Sequence, residues 1–286
     1  MAAAKVRDEL AVVTVTYRSA GDLEGFLESV ASSADRPRVT VVADNPSEDT
    51  PRTVEIAGAG GVSVVALDAN IGYGGAVNAA VATLPPEVEF VLVSNPDVRL
   101  RPDSIGHLIA ALCREPEAAA VGPKVLNEDG TVYPSARSIP SLRTGIGHVL
   151  FSRTWPGNPW TRSYRQERES MELPRPVGWL SGSCLLVRRS SFDAVGGFDE
   201  GYFMYFEDVD LGYRFGKAGW QNLYEPSAVV THIGGQSTAT VRSPMLRTHH
   251  RSADRFLSQK YRGWYLAPLR WTLHVALEVR ARWLTR

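Results

Sequence analysis

Cysteine is nearly absent. Two thiols in 286 residues, Cys113 and Cys184, leave no disulfide framework and no zinc spacing. Both sit in apolar stretches and read as buried thiols of a protein from a reducing compartment. Net charge is absent as well, with 31 Lys and Arg against 31 Asp and Glu. That balance speaks against a nucleic-acid partner, and any affinity for phosphate or for a membrane has to come from local patches. No uncharged run reaches the roughly 18 residues that a membrane span needs. Charges from Lys5 to Glu9 interrupt the apolar stretch of a secretory leader. Internal repeats and low-complexity tracts are missing. These absences lead to the expectation of a cytoplasmic protein, at most peripheral on the inner face of the cell membrane.

What remains is an ordinary globular composition, long enough for one large α/β domain plus an appendage. Apolar runs at 10–16, 39–43, 62–67 and 90–93 predict strands. Between them, Asp22 precedes Leu23, Phe26, Leu27 and Val30 at helical spacing. A glycine-rich loop leads into a short helix through Asn78 to Leu84, and Asp103 caps another helix. Strands alternating with helices imply a mostly parallel sheet covered on both faces. Ligands of such sheets bind at the carboxyl ends of the strands. Three polar clusters fall there: Thr16-Tyr17, Asp44-Asn45 and Asn95 to Asp97. Residues 133–176 lack periodicity, and so long a stretch is functional or mobile. Apolar character returns at 177–187, a helix is expected over 208–217 and a strand over 221–231. Composition divides the chain into a catalytic-type domain, 1–245, and a helical segment, 246–286.

Several residues carry chemistry. Asp97 ends a buried strand and projects from the sheet edge, either as a turn aspartate or as a carboxylate for a divalent cation on a diphosphate. Glu207 and Asp208 open a helix, where its dipole favours acids. An aromatic approach, Tyr202 to Phe206, precedes them. A carboxylate in an aromatic pocket has the raised pKa of a general base. The glycines from Gly72 to Gly75 permit either a tight turn or close approach to phosphate. His232 follows a strand and is a loop histidine or a ligand. Trp179 stacks on a sugar or packs.

Together these segments resemble family 2 glycosyltransferases of the GT-A fold, from about Val12 to Ser237. Val42 to Asp49 is similar to the donor-base loop, Asn70 to Asn78 to the glycine-rich segment, and Asn95-Pro96-Asp97 to the DxD metal motif. Asn95 stands where the motif has Asp, which leaves Asp97 as the sole carboxylate. Glu207 to Leu211 followed by Arg214 is similar to the family's ED motif. The resemblance implies an inverting enzyme with Asp208 as base. Thr16, Tyr17, Asp44, Asn70, Gly72, Gly74, Asn95 and Asp97 would bind the donor. Asp97 and His232 would hold Mg2+ or Mn2+. Trp179, Ser181, Gly182, Glu207 and Arg214 would line the acceptor side, with Arg214 orienting the acidic loop or facing the diphosphate. Longer blocks, Tyr133 to Arg137, Asn158 to Trp160, Tyr164 to Arg168 and Pro176 to Cys184, resemble the family's actinobacterial cell-wall rhamnosyltransferases. They imply dTDP-L-rhamnose as donor and a polyprenyl-diphosphate-GlcNAc acceptor.

The segment after Arg251 carries Arg255, Lys260, Arg262, Arg270, Arg280, Arg282 and Arg286 against Asp254 and Glu278. Tyr261, Trp264, Tyr265, Trp271 and Trp283 are interleaved. This reads as an interfacial helix on the cytoplasmic membrane surface, or as a helix packed on the domain or in a homodimer contact. Two other classes compete for the whole chain. A nucleotidyltransferase would carry a glycine- and Arg/Lys-rich phosphate loop after its first strand, which residues 16–21 are not. A non-catalytic sugar-binding module would not need Asp208. Within the enzyme class, another hexose donor is the alternative.

Overall fold

The computed structural model describes residues 9–141, 172–234 and 242–284. The blocks at 158–160 and 164–168, and Ser237, lie outside the described residues.

In chain order the elements are β1 (Leu10–Thr16), α1 (Ala20–Ala31), β2 (Val39–Asp44), α2 (Thr50–Ala59), β3 (Ser63–Ala66), α3 (Gly72–Ala82), β4 (Phe90–Ser94), β5 (Val98–Leu100), α4 (Ser104–Arg114) and β6 (Ala118–Asn127). The short strands β7 (Val132–Tyr133), β8 (Ala136–Arg137), β9 (Arg175–Val177) and β10 (Trp179–Leu180) follow. Then come β11 (Cys184–Arg188), α5 (Arg189–Ala194), α6 (Glu207–Lys217), β12 (Gln221–His232), α7 (Arg242–Lys260), a 3-10 turn (Trp264–Leu266) and α8 (Ala267–Leu284).

The main sheet runs β3-β2-β1-β4-β11-β6-β12-β5, with β7 on β6 and β9 on β12, while β8 and β10 form a separate pair. β1, β2, β3 and β4 are parallel, as are β6 and β12. β11 enters antiparallel between β4 and β6. Alternation along β1 explains the two-sided core. Ala11, Val13 and Val15 face one layer with Ala76, Val77, Ala80, Phe198, Leu211 and Phe215. Leu10 and Val12 face the other with Leu23, Phe26, Ile105, Leu108 and Leu112. Period-2 strands buried on both faces are what a sheet sandwiched by helices requires.

Three expectations change. The glycines at 72–75 do not precede α3 but begin it. Asp22 is in the first turn of α1, whose N-cap is Ser19. Cys113 is exposed while Cys184 is buried, because Leu108, Ile109 and Leu112 take the core-facing side of α4 and position 113 turns outward.

The C-terminal helices divide by surface character. α7 docks on the domain through buried Phe256, Ala253, Ser252 and His250. The Phe256 ring lies 5.7 Å from those of Phe206 and Tyr213. Arg255 pairs with Asp199 at 2.9 Å, and Gln259 Nε2 donates to the same carboxylate at 2.9 Å. α7 is thus packed with the residues before position 245, and the change of character falls at the turn after it. There Trp264, Tyr265 and Trp271 are 86%, 69% and 69% exposed. Arg270 Nη1 pins that turn by donating to the carbonyls of Tyr261 and Gly263. Among the described residues no helix is long and apolar enough to cross a membrane.

Candidate active site

The site is built from the carboxyl ends of β1, β2 and β4 and the loops facing them. Thr16 closes β1 and donates from Oγ1 to Asp44 Oδ1 at 2.6 Å. Both residues are buried, and Asp44 Oδ2 has no hydrogen-bond partner. A buried carboxylate oxygen left without a donor is costly, so it marks a place where an N–H can be received. Tyr17 is exposed beside it, and the Arg18 guanidinium lies 5.4 Å from its ring while Nε donates to Glu48 at 3.0 Å. Asn45 Oδ1 accepts the Ile71 amide at 3.0 Å and Asn70 Oδ1 accepts the Gly72 amide at 3.0 Å, so the two asparagines fix the start of α3. Asn45 had been assigned no role of its own.

Asp97 lies just beyond β4. β5 pairs antiparallel with the end of β12, opposing Val98 to His232, and the Ile233 amide donates to the Asp97 carbonyl at 2.9 Å. That register brings His232 Nε2 to 3.0 Å from Asp97 Oδ1. Neither atom makes an aligned hydrogen bond, and both are buried. Two unsatisfied donor atoms converging from different elements fit a divalent cation that takes its other ligands from phosphate and water. Among the described residues no group of three or more His, Cys, Asp or Glu could hold a metal alone. Asp22 on α1 is a neighbour: burial and then the Asp97 charge push its carboxyl up, against the pull of Arg99. The amide of Asn95 donates to the Ser183 carbonyl at 2.9 Å. A cleft of about 660 Å³ opens beside His232, lined also by Asn127, Asp129 and Tyr133.

The third part is the turn Ser181-Gly182-Ser183. The Gly182 amide donates to Asp208 Oδ2 at 3.0 Å, and Asp208 Oδ1 accepts the Val209 amide at 2.8 Å. The Gly182 carbonyl accepts the Tyr73 hydroxyl at 2.5 Å. Ser181 is anchored by its amide to the Ser135 carbonyl at 2.7 Å. Burial pushes the Asp208 carboxyl up, while the amides of Gly182 and Val209 and the charge of Arg137 pull it back. Glu207 is buried with Oε2 unpartnered. Burial, then the Asp208 charge, pushes it up to about 8. Tyr73 feels both ends of the site: burial first, then Glu207, Asp208, Cys184 and Asp97, hold its phenol well above its ordinary value. Tyr73 is therefore within electrostatic reach of both the Asp97 and the Asp208 carboxylates, and sequence reasoning passed over it although it sits inside the glycine-rich segment.

Local backbone explains the placement. Tyr205 and Phe206 have φ of 68° and 67°, in the left-handed region, and Phe206 is the N-cap of α6. Gly72 has φ +81°, and a Cβ there would strike the Phe203 carbonyl oxygen. The Tyr73 amide donates to that same oxygen at 3.2 Å. The start of α3 thus grips the strained loop that aims Glu207 and Asp208. Gly74 allows a close approach of the Phe198 side chain.

Trp179 is half-buried, its indole N–H donating to the Ser138 carbonyl at 3.1 Å. One side abuts Gly212 of α6. Arg214 Nε donates to Asp210 Oδ2 at 2.6 Å and Nη1 to the Val195 carbonyl at 2.8 Å, while Nη2 is buried without a partner among the described residues.

The family described as Glycosyl transferase family 2 matches residues 11–196. The N-acetylglucosaminyl-diphospho-decaprenol L-rhamnosyltransferase of Mycobacterium tuberculosis is 48% identical, over 98% of this chain and 94% of that protein. Rhamnosyltransferase WbbL of Escherichia coli is 30% identical, over 66% of this chain and 71% of that protein. Among solved structures, the mannosyltransferase PcManGT from Pyrobaculum calidifontis, in complex with GDP-Man and Mn2+, superposes with a TM-score of 0.61 at 15% identity, over 98% of this chain and 72% of that one. At that identity the likeness concerns the fold.

Proposed function

The chain belongs to glycosyltransferase family 2, and from that premise we propose that it transfers L-rhamnose from dTDP-β-L-rhamnose to N-acetylglucosaminyl-diphospho-decaprenol with inversion at the anomeric carbon. The donor and acceptor follow the relative that is 48% identical along nearly the whole chain. The observation that carries the chemistry is the buried Asp208 carboxylate, held by the amides of Gly182 and Val209.

Asp44 Oδ2 receives the N3–H of thymine, with Thr16 fixing the carboxylate and Tyr17 flanking the base and ribose. Asn70, Gly72 and Gly74 form the start of α3, whose dipole suits the diphosphate. Asp97 and His232, assisted by Asn95, hold the divalent cation. When bound, Mg2+ or Mn2+ neutralises the charge that builds on the leaving diphosphate. Trp179, Ser181 and Gly182 border the acceptor sugar. Asp208 takes the proton of the acceptor hydroxyl as its oxygen bonds to the anomeric carbon and the bond to the dTDP oxygen breaks on the opposite face. One displacement converts a β-donor into an α-L-rhamnoside, and no enzyme nucleophile is required. Buried Glu207, its carboxyl pushed up by burial and by the Asp208 charge, offers a hydrogen-bond donor beside the base when it holds its proton.

The acceptor is lipid-linked, and the turn bearing Trp264, Tyr265 and Trp271 gives the enzyme a means of resting on the inner membrane surface. Between 246 and 286 there are nine Lys and Arg against two Asp and Glu, which favours an anionic bilayer over a second copy of the chain.

The test is a pair of isosteric variants assayed with dTDP-rhamnose and a short lipid-diphosphate GlcNAc. Asp208→Asn should lose about 10²-fold or more in turnover, the scale of a lost general base, with dTDP binding intact. Glu207→Gln should keep most of its activity at pH 7. The opposite ranking moves the base to Glu207, and two active variants leave the site without a base.

A further inference from the structure

Arg137 has no part in the reaction as just described. β8 pairs antiparallel with β10, so Arg137 lies directly opposite Trp179 and shares its face. Nε donates to the Pro134 carbonyl at 2.8 Å, which fixes the guanidinium with Cζ 5.7 Å over the Trp179 ring. The residue is exposed, and the structure gives its two terminal amino groups no partner among the described residues. The Cα and Cβ of Trp179 abut Gly212, one helical turn beyond Asp208. Trp179 therefore stands between the Arg137 guanidinium stacked on its ring and the helix that carries Asp208. The charge of Arg137 is also one of the influences that pull the Asp208 carboxyl down, which sets it within electrostatic reach of the base. In the reaction as described, the donor diphosphate has its own partners, Asp97 and His232.

A guanidinium with a pinned Nε and two free amino groups is preorganised for a phosphate, which it can grip by two parallel N–H···O bonds. We propose that Arg137 is the subsite for the acceptor's diphosphate, clamping the phosphate next to the sugar that lies against Trp179 while its hydroxyl reaches Asp208. This rests on the reading above that the acceptor is a GlcNAc-diphospho-lipid.

The full chain, as Arg137→Gln and Arg137→Lys, is titrated with a short-prenol GlcNAc-diphosphate and with dTDP. Transfer is then measured to that acceptor and to an uncharged alkyl-GlcNAc. The glutamine variant should weaken binding of the diphosphate acceptor and raise its KM by about 10- to 100-fold, the scale of a lost hydrogen bond to a charged group. Lysine should restore part of that loss. Binding of dTDP and kcat/KM for the uncharged acceptor should stay within about twofold of the parent. Equal losses on both acceptors would overturn the proposal in favour of an effect on Asp208 or on Trp179 packing. Weakened dTDP binding would overturn it in favour of the donor phosphate. Unchanged binding everywhere would make Arg137 a surface residue. If the parent binds the diphosphate acceptor in an Arg137-dependent way yet transfers no rhamnose, the subsite stands and the donor assignment falls.

Discussion

Glu207 places a charge where water cannot follow it, and its replacement tests the electrostatics of the whole site. The side chain is 7% exposed, and Oε2 has no partner. Burial, and then the neighbouring Asp208 charge, lifts its pKa from 4.5 to about 8. In the unfolded chain the same carboxyl loses its proton near 4.5. Between these two values the native state holds a proton that the unfolded state does not, so stability falls as pH rises. The contribution is absent below about pH 4, grows unfavourable through neutrality and is complete above about pH 8. At about 1.4 kcal/mol per pH unit the interval is worth up to about 5 kcal/mol, and relaxation around the ionised group trims this to about 2–3 kcal/mol. Glu207→Gln keeps the shape and removes the ionisation. For a domain of this size 1 kcal/mol moves Tm by about 2–4 °C. The variant should therefore melt about 5–10 °C above the parent at pH 8.5 and within about 2 °C of it at pH 4.5. Calorimetry or circular dichroism across that range reads both. An equal offset at the two pH values would attribute the gain to packing, and no gain at pH 8.5 would mean that Glu207 is ionised in the native protein at little cost.

Two further perturbations probe the loop and the aromatic turn. Gly72→Ala combines left-handed backbone strain of about 1–2 kcal/mol with overpacking against the Phe203 carbonyl of about 1–3 kcal/mol; thermal melts should show a loss of about 2–5 kcal/mol, and turnover should fall more than dTDP affinity because the displaced loop leads to Asp208. A variant with Trp264→Ala and Trp271→Ala should bind anionic vesicles at least tenfold more weakly in a sedimentation assay while the parent's residual binding survives high salt, and unchanged sedimentation would give these residues to a contact between copies of the chain.

The meeting of Thr16 and Asp44 was readable from the sequence because short-range patterns determine it. Buried runs ending at Thr16, at Asp44 and just before Asn95 had to be parallel strands, and the residues at their carboxyl ends had to meet. The rest of the candidate site was less readable. Nothing local joins Asp97 to His232; the antiparallel register of β5 on β12 does. Nor does any spacing announce that Tyr73, Gly182 and Asp208 form one hydrogen-bonded chain. The strand β6 went unseen because Ala118 to Ala120 favour helix by propensity, and pairing with β11 and β12 overrides it. The C-terminal segment shows a different ambiguity. Composition separates it at 246, yet an apolar stripe looks the same whether a bilayer or a protein covers it. Phe256 and Ala253 are covered by the domain, whereas Trp264 and Trp271 are exposed among the described residues.

Backbone strain ties these halves together. Among the described residues the non-glycine positions with positive φ are Arg18, Tyr205 and Phe206. Arg18 adjoins the Thr16–Asp44 pair, and the other two immediately precede Glu207. Each such residue costs about 1–3 kcal/mol unless its surroundings enforce it. The enforcing contacts of the second pair come from both flanks. Asn78 bonds the backbone of Phe198 in both directions, and Tyr73 bonds Phe203. From the other side Arg255 and Gln259 fasten Asp199, Ser252 donates to the Met204 carbonyl, and Phe256 packs on Phe206. The Glu207–Asp208 turn is therefore held between the start of α3 and α7, the helix that leads to the exposed tryptophans. Whatever displaces α7 bears on the Asp208 carboxylate through a loop that is already strained.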